Sequence, residues 1–326
     1  MQTHQPSIAV LIPCYNEEGA IGKTVHSFQH ALPTATIYVY DNNSTDNTIE
    51  EARAAGALVF KEKRQGKGEV VRRMFADIEA DIYVLTDGDE TYDANAAPKL
   101  IATLCDENLD MVVGTRSFVD ESFPSGHILG NKAFCTLINR VFSAKLNDVF
   151  SGYRVMSRRF VKTLPLMSLG FEIETELTVH TLQCRIAYQE VPTKYKPRPE
   201  GTESKLNTFS DGFKILRFIV FLIRDIKPLM FFTCLSLVFG ALSLILGIPV
   251  ISEFMATGLV PRFPTAILAS VIGLIAFMCL FAGIILDNVS RGRLEMKQLR
   301  FLALNNNISP RAQPDYDQQS QSRSVG

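Results

Sequence analysis

The sequence predicts an α/β domain built on a mostly parallel sheet flanked by helices, followed by a two-helix transmembrane hairpin. Two observations carry this. From Ile8 to Gly114, short β-rich runs alternate with helix-period segments, the rhythm that builds a parallel sheet wrapped by helices. Further on, no charged side chain falls between Pro228 and Ser252, and none between Phe263 and Leu286. A helix of either length, at 1.5 Å per residue, spans about 36 Å, enough for a hydrocarbon core of roughly 30 Å with some tilt.

The elements follow in order. Ile8–Ile12 reads as a first strand, then the loop Pro13-Cys14-Tyr15-Asn16 and a helix opening at Glu17. Thr36–Tyr40 is a second strand ending at Asp41, and Thr45 or Asp46 caps the next helix. Leu58–Lys61 is a third strand and Gly68–Ile78 a helix; Ile82–Thr86 is a fourth strand that ends at Asp87-Gly88-Asp89. A helix from Ala94 to Asp106 leads to a fifth strand, Met111–Gly114. Between Asp211 and Lys227, cations at Lys214, Arg217, Arg224 and Lys227 interleave with Phe, Ile and Leu. This reads as a helix lying in the membrane interface, with an amphipathic helix packed on the domain as the alternative. Asp287–Leu304 reads as a matching surface helix, and the chain from Ser309 onward as a disordered tail. The expected division is therefore 1–210 for the α/β domain, 211–227 for the interfacial helix, 228–286 for the hairpin and 287–326 for the juxtamembrane helix and tail.

Charge sets the expected orientation. Arg217, Arg224 and Lys227 precede the first span, and Arg291, Arg293, Lys297 and Arg300 follow the second, while the loop between carries only Glu253 and Arg262. The positive-inside rule puts both flanks, and the α/β domain, in the cytoplasm, as a multi-pass protein of the inner (cytoplasmic) membrane. Residues 1–7 are polar and Ile8–Pro13 is too short for the apolar region of a signal peptide. The chain is 47% apolar and 21% charged, which excludes disordered, collagenous and small disulfide-scaffold classes. A net charge of −1 argues against a broad grip on nucleic acid. The six cysteines lie far apart with no CxxC pair, as reduced thiols do, and give no metal-finger spacing.

In parallel sheets, ligands bind beyond the carboxyl ends of the strands. Tyr15, Asn16, Asp41, Asn42, Asn43, Asp87 and Asp89 all follow predicted strands, so chemistry gathers along one edge. Asp87-Gly88-Asp89 sets two carboxylates around one small residue, a pattern that holds a hard divalent cation and leaves positions for phosphate oxygens. Alone, such a triplet also reads as a solvated turn; the β-rich run before it favours the site. Asp41 either accepts hydrogen bonds from a base or ribose or closes an Asx-turn. Tyr15 either stacks on a base or packs. Gln65-Gly66-Lys67-Gly68 opens a helix and suits a phosphate, without Walker A spacing. The acidic residues Glu172, Glu174 and Glu176 read equally as helix N-terminal charges. Arg198 and Lys205 face either a phosphate or lipid headgroups.

Taken jointly, Ile12-Pro13-Cys14-Tyr15-Asn16-Glu17-Glu18, Asp41-Asn42-Asn43-Ser44-Thr45-Asp46, Gly66-Lys67-Gly68, Asp87-Gly88-Asp89, Gly114-Thr115-Arg116, Ser151-Gly152-Tyr153-Arg154 and Glu203-Ser204-Lys205-Leu206 carry a resemblance. Over about residues 8–227 the chain resembles family 2 glycosyltransferases of GT-A fold. Within them it is most similar to the polyprenyl-phosphate, dolichol-phosphate mannose synthase-like group, in a bacterial subgroup with two C-terminal transmembrane helices. The resemblance implies inverting, metal-dependent transfer of a sugar from a UDP- or GDP-linked donor to undecaprenyl or dolichyl phosphate at the cytoplasmic membrane face, and a homo-oligomer.

Residue by residue, the resemblance puts Pro13, Tyr15, Asn16, Glu17 and Asp41 at the nucleotide. Lys67, Asp87, Gly88 and Lys205 also fall on the nucleotide sugar. It puts Asp89 and Thr91 at Mg²⁺ or Mn²⁺, and Arg116, Ser151, Arg154 and Lys205 at the acceptor phosphate. Asp89, Asp148 and Arg116 are the implied catalytic residues, Asp148 as an orienting acid. Two departures stand out: Asp41-Asn42-Asn43-Ser44 replaces the common Asp-Asp-Gly-Ser, and Asp87-Gly88-Asp89-Glu90-Thr91 replaces Asp-Ala-Asp-Leu-Gln. An alternative is a transferase that extends a glycosylated lipid or polysaccharide. A processive synthase of that kind carries a Q-x-x-R-W motif, and this chain has no Trp. An inactive membrane scaffold is the other alternative, against which Asp87, Asp89, Arg116 and Lys205 all stand.

Overall fold

The computed structural model describes residues 5–116, 125–170, 172–196, 217, 220–221 and 223–304. Seven strands form one sheet in the order β3-β2-β1-β4-β6-β5-β7. The strands are β1 (Ile8–Cys14), β2 (Thr36–Asp41), β3 (Leu58–Lys61), β4 (Ile82–Leu85), β5 (Met111–Arg116), β6 (Arg154–Ser157) and β7 (Tyr188–Thr193). All neighbours run parallel except β6, which lies antiparallel between β4 and β5.

β1 and β4 are near-continuous apolar runs because both faces of the sheet are covered. Alternate residues of each strand enter opposite cores. Val10, Ile12, Val39 and Val84 pack with Val25 and Phe28 of α1 (Ile21–Ala31) and with Leu100 of α4 (Ala97–Asp106). On the other face Leu11, Tyr83, Leu85 and Met111 meet three helices. These are α3 (Lys67–Asp77), α6 (Arg158–Thr163) and α7 (Ile173–Gln183), and they contribute Met74, Phe160 and Leu177. The other α-helices of this domain among the described residues are α2 (Thr48–Ala54) and α5 (Ser125–Phe142).

Several boundaries move. β1 and β5 each run two residues past the expected end, which carries Arg116 to a strand terminus. The helix expected from Glu17 starts at Ile21, because Glu17 donates its N–H to the Thr48 hydroxyl and Asn16 adopts a left-handed φ of 51°. The expected cap at Asp46 accepts the N–H of Thr48, while Asn47 holds the N-cap position without a side-chain bond.

Two helices, Pro228–Thr257 and Phe263–Ala303, are long and apolar enough to cross a membrane. They pack antiparallel through small residues: Ala269, Ala276, Gly283 and Ser290 are the buried positions of the second helix, spaced by seven. Ser243 donates its hydroxyl to the Ala269 carbonyl at 2.8 Å. The surface helix expected over Asp287–Leu304 is the continuation of this second helix, carried through by the Asp287–Arg291 pair one turn apart. Its end reaches the sheet domain. Phe301 packs beside the α6–α7 core with the Arg159 guanidinium 4.6 Å from its ring, and Lys297 donates to Gln183 at 3.3 Å. Most of the expected interfacial helix, and the tail from 305, lie outside the described residues; residues 217, 220–221 and 223–226 are helical.

Candidate functional site

The loops that follow β1 and β2 are tied together. Asn16 accepts the Thr45 N–H at 2.8 Å, and its own N–H donates to the Ser44 hydroxyl at 2.9 Å. Asp41 is fully buried, and its carboxylate accepts the N–H groups of Asn43 and Ser44 at 3.1 and 3.2 Å, closing an Asx-turn. Asn42, which the sequence placed on the edge without a role, spans the gap to the next loop. Its amide donates to the carbonyls of Glu62 and Arg64, and its oxygen accepts the Gly66 N–H at 2.7 Å. Pro13 is buried in β1 opposite Tyr40, while Tyr15 stands exposed at the rim.

Beyond β4, Asp89 is buried and accepts the Thr91 hydroxyl at 2.5 Å. Gly88 lies close to β1: a Cβ there would come 2.7 Å from the Cys14 sulfur, so one of the two would have to shift. Gly152 lies close to the same turn: a Cβ there would come 2.9 Å from Asp87 Oδ2. Its N–H donates to the Tyr92 hydroxyl at 2.8 Å. The Ser-Gly-Tyr-Arg motif is therefore held against the Asp-Gly-Asp turn.

The glycine–lysine segment, expected at a phosphate, lies against residues 168–169. Gly68 donates its N–H to the Leu169 carbonyl, and a Cβ at Gly66 or Gly68 would run into the 168–169 backbone. These glycines admit another chain segment. Lys67 donates at 2.5 Å to both Asp87 Oδ1 and Glu174 Oε1. Burial alone would lower its pKa; the attraction of Asp87 and Glu174 outweighs burial and holds it above the usual lysine range.

At the end of β5, Arg116 forms a fork with Asp148. Nε and Nη2 donate to its two oxygens at 2.8 Å each, and the Arg116 N–H adds a third bond at 3.2 Å. Asn131 and the Phe150 N–H also donate to Asp148. Burial would lower the Arg116 pKa, and the hydrogen-bonded Asp148 drives it above its usual range. Tyr195, which carried no sequence signal, places its ring 5.7 Å from the guanidinium and packs edge-on to Tyr92.

Ser151 and Arg154, expected at an acceptor phosphate, both have partners within the protein. Ser151 is fully buried and donates its hydroxyl to the Gly114 carbonyl at 2.6 Å. Arg154 is also fully buried, and its guanidinium donates to the carbonyls of Val149, Ser151 and Glu174 and to the Thr178 hydroxyl. It bolts β6 to α7. Lys205 and Arg198 lie outside the described residues.

The profile of glycosyl transferase family 2 matches residues 9–164. Glycosyltransferase AglJ of Haloferax volcanii is 34% identical over 254 residues, covering 76% of this chain and 82% of its own. The dolichyl-phosphate hexose transferase of the same organism is 29% identical over 214 residues, 65% of this chain and 92% of its own. Among solved structures, the glucosyl-3-phosphoglycerate synthase of Mycobacterium tuberculosis, in complex with Mn²⁺, UDP and phosphoglyceric acid, superposes with a TM-score of 0.56 at 22% identity. The superposition covers 65% of this chain and 76% of that one, and it shows a shared fold.

Proposed function

The chain belongs to glycosyl transferase family 2, and from that membership we propose that it moves a sugar from a UDP- or GDP-linked donor to a polyprenyl phosphate, with inversion and with Mg²⁺ or Mn²⁺. The observation that carries this reading is one sheet edge where Asp87 and Asp89 follow β4 and the Arg116–Asp148 pair ends β5, in a domain packed against an apolar hairpin. The likeness to a dolichyl-phosphate hexose transferase supports the lipid phosphate, and the shared fold with an enzyme crystallised with Mn²⁺ and UDP supports the donor class and metal.

The residues suit the metal. Asp87, Asp89 and the Thr91 hydroxyl are hard oxygen donors, and no group of three His, Cys, Asp or Glu gathers among the described residues. A cation held by one or two carboxylates, with phosphate and water completing its shell, is the usual Mg²⁺ arrangement. Once bound, it would offset the charge that develops on the departing nucleoside diphosphate. An acceptor phosphate monoester is already largely dianionic near pH 7, because its second pKa is about 6, so no strong base is needed. Asp148 fits the orienting role. Its oxygens receive donors from Arg116, Asn131 and Phe150, and so fix the guanidinium that meets a phosphate. In this reading residues 1–210 form the transferase domain on the cytoplasmic side, 228–286 the membrane hairpin, and Lys205 a second phosphate cation.

The full chain in detergent, given undecaprenyl phosphate and a panel of UDP- and GDP-sugars, should release nucleoside diphosphate only when both a divalent cation and the lipid phosphate are present. Asp89→Asn should cut turnover by about 10²-fold or more with little change in thermal midpoint. An equal rate with the polyprenyl alcohol, or full activity of Asp89→Asn, overturns the reading.

A further inference from the structure

Three charged side chains from distant parts of the chain meet behind the β4 turn: Lys67 opening α3, Asp87 after β4, and Glu174 in the first turn of α7. Glu174 is the most buried of them at 6% side-chain exposure, Lys67 follows at 13%, and Asp87 at 29% reaches the open side. One ammonium between two carboxylates leaves the group with a net charge of −1. With Glu174 neutral, Lys67 and Asp87 would form a one-to-one pair and the group would carry none.

The same turn of α7 reaches Asp87 by a second route. The Glu174 carbonyl accepts Arg154 Nη2 at 2.9 Å, and that guanidinium also binds the Val149 and Ser151 carbonyls. The loop so anchored carries Gly152, whose backbone lies against the Asp87 carboxylate. Thr86 and Thr175, the residues next to Asp87 and Glu174, have buried hydroxyls with no hydrogen-bond partner among the described residues. Polar capacity is thus left unspent at this junction, where buried hydroxyls are otherwise almost always satisfied.

We propose that Glu174 is a positioning residue of the donor site: by sharing Lys67 with Asp87 it fixes Asp87 and keeps the Asp87–Asp89 turn negative enough to take up a divalent cation. The inference rests on the metal reading proposed above. A buried ammonium with one carboxylate partner would neutralise that partner; with two, it pins Asp87 and leaves the turn anionic.

The test titrates Mn²⁺ into the full chain in detergent, with UDP and with GDP in parallel, and follows bound Mn²⁺ by electron paramagnetic resonance without turnover. Glu174→Gln should weaken Mn²⁺ binding at least fivefold, and Glu174→Asp, which keeps the charge, should recover most of it. The double variant Lys67→Met/Glu174→Gln removes a balanced pair of charges, so it should bind Mn²⁺ within threefold of the wild-type chain. That variant also decides the matter if Glu174→Gln does not fold: a loss beyond tenfold in it overturns the charge-sharing role. Asp89→Asn is the control. If it loses Mn²⁺ while Glu174→Gln binds normally, the inference falls and the metal reading stands. If the wild-type chain binds no Mn²⁺ specifically, or Asp89→Asn binds it as tightly as the wild-type chain, both fall.

Discussion

The sheet domain and the hairpin solve opposite problems with the same backbone rules. In the sheet domain the large apolar side chains Val10, Leu11 and Ile12 are fully buried, and the charges drawn in with them have partners: Asp110 with Arg159, Asp148 with Arg116, Glu174 with Lys67. In the hairpin the large apolar side chains face outward, Leu237 and Ile245 both at 68% exposure, and the buried positions of the second helix are Ala269, Ala276, Gly283 and Ser290. One region is held by filled volume and paired charge, the other by close approach of small residues. Each should therefore fail under a different kind of substitution.

The largest effect is expected where the sheet domain is most exposed to the loss of one partner. Arg116→Ala leaves Asp148 buried without its cation, and breaking a buried pair from one side costs about 3–5 kcal/mol. Arg116→Ala should lower the thermal midpoint of the full chain in detergent by about 10 °C. Arg116→Met with Asp148→Asn removes both charges and should recover more than half of that loss. Both variants should lack transfer, since the proposed phosphate contact is gone from each. If the single and double variants melt together, the pair does not hold the β5 end, and the comparison with the hairpin weakens.

The hairpin should respond to volume instead. A Cβ at Gly283 would lie 2.9 Å from the Phe232 Cβ and 3.5 Å from the Leu229 backbone, so Gly283→Leu must part the helices. Overpacking of this kind costs about 1–3 kcal/mol. Gly240, in the first helix, has nothing within 4 Å of its ideal Cβ. Gly240→Leu is the matched control and should leave thermal aggregation in detergent unchanged, while Gly283→Leu should bring it on several degrees earlier. Equal behaviour of the two would show that the small-residue face does not hold the helices together.

The same contrast explains what was legible in the sequence. The strands up to Arg116 were readable because parallel, doubly covered strands are runs of Val, Ile and Leu, and the hairpin because neither of its two spans carries a charge. β6 was hidden by Arg154, a charged residue at the start of a buried strand, whose acceptors at Val149, Ser151 and Glu174 lie on other elements. The Asp-Gly-Asp turn could be placed on the edge because it follows its predicted strand, whereas Gly-Thr-Arg was assigned only through the family resemblance and proves to be the end of β5 itself. Glu174 could not be separated from Glu172 and Glu176 by local pattern; its meaning comes from Lys67, 107 residues away. Gly66-Lys67-Gly68 was ambiguous for the same reason: glycines that admit a ligand and glycines that admit another chain segment look alike until the Leu169 carbonyl is seen against them.

The smallest effect sits where the two regions meet. His180 of α7 is buried, packs edge-on to Phe160 and lies beside Lys297 of the second hairpin helix. Burial first, and the Lys297 charge second, push its pKa down to about 3. In the unfolded chain the imidazole takes a proton below about pH 6.5. Between that value and about 3 the unfolded state therefore binds a proton that the folded state does not, and stability falls as the pH falls. At pH 5.5 this one group should cost about 1.4 kcal/mol relative to pH 7.5. For a domain of this size that is about 3–6 °C of thermal midpoint. His180→Leu keeps an apolar side chain of similar bulk in the joint and removes the proton site, so its midpoint should fall less than that of the wild-type chain over the same interval. Equal acid sensitivity of the two chains would place the acid-labile point elsewhere, in the paired carboxylates of the sheet domain rather than at its seam with the hairpin.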